Sequence, residues 1–113
     1  MSAITTHILD TSLGRPASGV RVILEGRADE GWEILGQGRT DADGRQKELL
    51  PVDFDLKAGV YRLTFNTSDY FAARRVESFY PEVTISFVVA DGAAHYHVPL
   101  LVSPFGYSTY RGS

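Results

Sequence analysis

The segment HYHVPLLVSPFGYSTYRGS, residues 95–113, decides how this chain is read. HYHVPLLV and GYSTYRG are both rich in β-branched, aromatic and aliphatic residues, and the turn formers of SPFG separate them. That pattern is two strands joined by a short turn. His95 and His97 lie two residues apart on the first strand, so their side chains share one face. Strand character also continues to Ser113, where chain termini usually become polar and loose.

The same pattern runs outward through the rest of the chain. In AITTHILD, Ile4, Thr6 and Ile8 alternate with Thr5, His7 and Leu9, and in VRVILEG, Val20, Val22 and Leu24 share one parity. WEILGQGRT, a short RQKEL, GVYRLTFN and PEVTISFVV complete a set of eight strands, with DADG at residues 41–44 as a turn. One segment, TSDYFAARRV, reads as a helix of about two turns, with Thr67 or Ser68 as its cap and Asp69 in its first turn. Strands do not alternate with helices, which disfavours a parallel sheet. The predicted fold is all-β: an eight-stranded antiparallel β-sandwich with one short helix, residues 1–113 forming a single domain.

Composition narrows the function classes. The chain has 113 residues, a formal net charge of -3 and no cysteine. Scattered basic residues and a net negative charge argue against a nucleic-acid binder. Absent thiols remove disulfides, thiolate catalysis and cysteine-ligated metals, and they suit a reducing, cytoplasmic compartment. Residues 1–10, MSAITTHILD, lack the basic and apolar regions of a signal peptide, and no apolar run is long enough for a membrane span.

Histidine and arginine carry the remaining chemistry. H-x-H on a strand is a zinc half-site, with His7 as a possible third ligand, but no acidic residue stands beside them, and packed, hydrogen-bonded histidines are the commoner case. Histidine is also the side chain suited to acid–base work near neutral pH. Hydrolysis of an activated amide needs a base for water, a clamp for the oxyanion and a proton for the leaving nitrogen. His7, Arg45 and His97 supply all three if the fold gathers them, although an arginine after a turn, as Arg45 is, is ordinarily solvated. Ser108, Thr109 and Ser113 stand in no nucleophile elbow, and Asp41, Asp43 and Gly44 are followed by no EF-hand glutamate.

Four stretches taken together, THILDTSLGRPASGV (residues 6–20), TDADGR (40–45), FYPEVTISF (79–87) and the closing segment, resemble the 5-hydroxyisourate hydrolases, the transthyretin-like enzymes of purine breakdown. The resemblance covers essentially the whole chain, and YRGS is its most specific mark. It implies a transthyretin-like sandwich assembled as a homotetramer, a dimer of dimers. Active sites would lie in the channel where the dimers meet, with 5-hydroxyisourate as substrate and no metal or organic cofactor. Motif by motif, it places His7, Arg45 and His97 on the catalytic positions. It places Tyr110, Arg111, Gly112 and Ser113 on residues that line and close the pocket, and His95 in support. In that setting Arg111 and a terminal carboxylate on Ser113 would orient a histidine or the substrate. Phe105 stands where tyrosine is common. The alternative is a transthyretin-type carrier of small molecules, but such carriers have lysine, glutamate and threonine where this chain has His7, Arg45 and His97.

Overall fold

Period-two alternation builds both layers of the molecule. The computed structural model describes residues 2–113. Its elements are β1 (Ile4–Asp10), β2 (Arg15–Pro16), β3 (Arg21–Ala28), β4 (Gly31–Arg39), β5 (Arg45–Gln46), β6 (Gly59–Phe65), α1 (Thr67–Ala73), β7 (Val83–Val89), β8 (Tyr96–Ser103) and β9 (Gly106–Thr109). One sheet runs β2-β1-β8-β9, with β5 also pairing on β1; the other runs β4-β3-β6-β7. The first sheet turns Ile4, Ile8, Tyr96, Val98, Leu100 and Val102 inward. The second turns Val22, Leu24, Leu63, Phe65, Val83 and Val89 inward to meet them, and all are buried. A fully buried side chain of this kind contributes about 1.5–3 kcal/mol over its exposed form.

The expected two-sheet β architecture with one short helix is present, with three differences in detail. β1 and β8 pair in parallel, from Ile4 opposite Tyr96 to Asp10 opposite Val102, whereas every other ladder is antiparallel. The absence of strand–helix–strand alternation speaks only to strands close in sequence. β1 and β8 are separated by the whole second sheet, so the chain can return in either direction. The second difference is β2, a two-residue pairing at the sheet edge whose proline gives no periodic signal. The third is the helix cap, which is Asn66: its side chain accepts from the Asp69 N–H at 3.2 Å. Thr67 instead lies buried under the first turn with Tyr70 and Phe71, the i, i+3, i+4 face that docks the helix. Asp69 sits in that first turn as expected.

Helix α1 is tied to the opposite sheet by one buried polar contact. The Tyr70 hydroxyl donates to Asp10 Oδ2 at 2.7 Å, while the Ser12 N–H and hydroxyl donate to Asp10 Oδ1. Burial, and then the Asp10 carboxylate, push the Tyr70 phenol up to about 12. Asp10 is itself only 1% exposed, so these donors are what satisfies its buried oxygens. Tyr70→Phe is therefore expected to destabilise the fold by about 1.5–3 kcal/mol, the usual worth of a hydrogen bond to a charged group. Urea unfolding midpoints of the two proteins measure it. Among the described residues, no helix is long and apolar enough to cross a membrane.

Candidate active site

The parity that sends Ile4 and Ile8 into the core sends Thr5 and His7 to the opposite face of β1. β8 likewise buries Tyr96 and Val98 and turns His97 outward. Two registers then assemble the cluster. Parallel pairing sets Thr5 opposite His97, and antiparallel pairing with β5 sets His7 opposite Arg45.

Arg45 is delivered by the turn at residues 41–44. The Asp41 carboxylate accepts the N–H groups of Asp43 and Arg45, each at 2.9 Å, and the Asp41 N–H donates to the Arg45 carbonyl at 2.8 Å. The hydrogen bond from the Arg45 N–H is the main influence holding Asp41 below the usual carboxylate value. Gly44 closes the turn at φ +74°, and a Cβ there would stand 2.5 Å from the Ile8 carbonyl oxygen. No other residue fits that position.

His97 is fixed from three sides. Its Nδ1 lies 2.8 Å from Thr5 Oγ1, its carbonyl accepts from the Gly112 N–H at 2.8 Å, and its ring packs on Gly112. A Cβ at position 112 would come within 2.6 Å of His97 Cδ2. Thr5 Oγ1 also lies 3.2 Å from His95 Nε2. Burial lowers the pKa of His97 first, followed by repulsion from Arg45, His7 and His95, so the neutral base is favoured. Thr5, Thr6, Arg45, Lys47, His95, His97 and Ser113 line a concavity of about 320 Å³ at this place. A larger hollow of about 430 Å³ beside α1 is lined by Arg21, Arg39, Asp69, Tyr70 and Arg74, with no histidine among its lining residues.

Of the residues named from sequence, Arg45, His97 and Ser113 meet in the histidine concavity, and Gly112 supports His97 from behind. His7 stands outside the lining, next to Arg45 on the ladder, and near enough for its charge to act on His97. Tyr110 and Arg111 go elsewhere in the single chain. They border a mainly apolar gap of about 270 Å³ between the sheets, with Ile85, Phe87, Tyr96 and Val98, and the Arg111 guanidinium lies 4.5 Å over the Tyr96 ring. Thr5 and Lys47 were not anticipated. Each sits two residues from a named residue, Thr5 before His7 and Lys47 after Arg45, so strand parity was the available signal. Among the described residues, no three His, Cys, Asp or Glu side chains gather as a metal-binding group.

A two-sheet sandwich with an imidazole–guanidinium cluster on the outer face of one sheet is a transthyretin-type fold equipped for acid–base chemistry. The HIUase/Transthyretin family matches residues 4–112. The 5-hydroxyisourate hydrolase of Caulobacter vibrioides is 49% identical over 117 residues, covering 100% of both chains. The solved 5-hydroxyisourate hydrolase of Klebsiella pneumoniae superposes with a TM-score of 0.84 at 42% identity, covering 97% of this chain and 98% of that one. Transthyretin from Sparus aurata gives a TM-score of 0.91 at 31% identity, covering 99% and 97%. The chain belongs to the HIUase/transthyretin family.

Proposed function

We propose that the protein hydrolyses 5-hydroxyisourate to 2-oxo-4-hydroxy-4-carboxy-5-ureidoimidazoline in urate breakdown. The observation that carries this reading is an imidazole held toward its neutral form beside an arginine, in a concavity lined by threonine, lysine, histidine and serine residues. Relatives that bear the hydrolase name are also closer to this chain in sequence than the Sparus aurata transthyretin.

In the reaction, His97, assisted by His7, takes a proton from water, and the oxygen adds to a ring carbonyl carbon. Arg45 polarises that carbonyl and holds the oxyanion. The intermediate collapses with cleavage of the adjacent C–N bond, and the histidine returns its proton to the departing nitrogen. The products of that cleavage are a carboxylate and a ureido nitrogen on one molecule.

The assembly we propose is a homotetramer, a dimer of dimers, in a cytoplasmic setting. β7 and β9 are edge strands of their sheets, with Val88 on β7 67% exposed and Tyr110, just after β9, 58% exposed. Open edges and apolar exposure of this kind favour pairing with another copy. Tyr110 and Arg111, away from His97 within one chain, would then close the pocket at the subunit boundary.

The test is the spectrophotometric decay of freshly generated 5-hydroxyisourate, with sedimentation velocity to establish the oligomer. Rapid decay by the tetramer supports the reading. No acceleration by a folded wild-type tetramer overturns it and turns attention to the carrier function. Gly112→Ala probes the geometry, because its methyl group must displace the His97 ring. A catalytic group misplaced by about 1 Å costs up to about 10²-fold. The variant is expected to lose kcat while circular dichroism stays unchanged.

A further inference from the structure

We infer that Thr5 is a positioning residue: its hydroxyl bridges His97 Nδ1 and His95 Nε2, fixing the tautomer of His97 and carrying its second proton to His95. The inference deepens the hydrolase reading and rests on it.

Thr5 Oγ1 lies 2.8 Å from one imidazole and 3.2 Å from the other, and the residue is 3% exposed. The fold has no separate use for this hydroxyl. Neighbouring Thr6 spends its own on the Val98 carbonyl at 2.6 Å, whereas the Thr5 hydroxyl has only the two rings as side-chain partners among the described residues. A valine would serve β1 equally well as a β-branched strand residue.

One hydroxyl hydrogen cannot be donated to both rings, so the bridge has two arrangements. In the first, His97 Nδ1–H donates to Oγ1, and Oγ1–H donates to His95 Nε2. His97 Nε2 is then a bare lone pair, the form a base requires. When Nε2 takes a proton from water, His97 becomes an imidazolium. Its Nδ1 proton passes to Oγ1 as the hydroxyl hydrogen passes to His95 Nε2. His97 ends neutral with its proton on Nε2, ready to act as an acid, and the positive charge resides on His95.

Charge placement favours that transfer. The cationic form of His97 is opposed by burial, by Arg45 from β5 and by His7 from β1. Lys47 from β5 also lines the concavity. His95 is exposed, so its imidazolium is hydrated. As Nε2 gives its proton to the departing nitrogen, the His95 proton returns through Oγ1 to Nδ1, so His97 is left as the neutral base and passes through no imidazolate.

The experiment compares wild type, Thr5→Val and Thr5→Ser as intact oligomers. kcat is read across pH, and the His95 and His97 ring nitrogens are followed by long-range ¹H–¹⁵N NMR titration. We expect Thr5→Val to lose about tenfold or more in kcat, less than the about 10²–10⁴-fold of a direct acid–base group because Thr5 acts through His97. Thr5→Ser should restore most of it. In wild type, His97 should carry its neutral proton on Nδ1 and titrate jointly with His95; in Thr5→Val the two rings should titrate independently. Wild-type kcat in Thr5→Val, or equal losses in Thr5→Val and Thr5→Ser with unchanged ring titrations, would overturn the relay. If wild type fails to hydrolyse 5-hydroxyisourate, the hydrolase reading falls, and the ring titrations alone still decide whether Thr5 couples the histidines.

Discussion

Arg45→Ala is expected to lower kcat by about 10²–10³-fold, the loss seen when one preorganised oxyanion donor is removed. The fold should survive unchanged. Arg45 is exposed and, among the described residues, forms no side-chain ion pair within 4.0 Å. Its structural bonds are made by its backbone, to Asp41 and in the ladder opposite His7, and alanine keeps both. The deficit should fall mainly on kcat, because the guanidinium interacts most strongly with charge that develops in the transition state. Arg45→Lys should recover part of the rate. An ammonium supplies the charge without the planar two-donor fork. Steady-state kinetics at fixed pH, with melting temperatures as the folding control, make the comparison. Wild-type kcat in a folded Arg45→Ala protein would remove Arg45 from the mechanism.

His97→Asn carries the second large effect, a loss of about 10²–10⁴-fold in kcat, the range for an acid–base group. Asparagine keeps a polar group toward Thr5 and the backbone bond to Gly112, so the change isolates the imidazole. The wild-type pH profile tests the same assignment. Burial, Arg45, His7 and His95 depress the pKa of His97, so activity should persist down to its ordinary value of 6.5 and fall only below it.

Stability follows the same sign. A group with a depressed folded pKa binds fewer protons in the native state than in the unfolded state at acidic pH. Its contribution is complete above 6.5 and is lost as pH falls toward and through the folded value. His97→Asn should flatten that part of the melting-temperature profile against pH. An activity profile with no acidic fall at any pH at which the oligomer stays intact would count against histidine as the base.

Much of the architecture was legible in the chain because it is encoded locally. Alternation in AITTHILD and HYHVPLLV states which residues face the core, and in the structure Ile4, Ile8, Val98 and Leu100 are buried while His7 and His97 face outward. Asp41 and Gly44 announce a turn because only a carboxylate acceptor and a residue free to adopt positive φ complete it. The helix was legible for the same reason, although its cap is Asn66, ahead of both Thr67 and Ser68. Asparagine, serine and threonine cap alike, and burial of Thr67 decides among them.

The gathering of the site had no local signal. His97 meets Thr5 across a separation of 92 residues because β1 and β8 pair in parallel at one register. Nothing in either strand specifies that direction. Core packing selects it, since a shift by one residue would turn Ile4 and Ile8 outward and the histidines inward. Residues 110–113 divide for a similar reason. Gly112 is drawn to His97 by a backbone hydrogen bond and fits against the ring because it has no side chain, while Arg111 stacks on Tyr96 on the other side. By itself, the sequence determined which side chains each strand presents to each face, through period two and turn chemistry. Only the tertiary structure decided which of those faces meet, because pairing between strands far apart in the chain is settled by how the whole core packs.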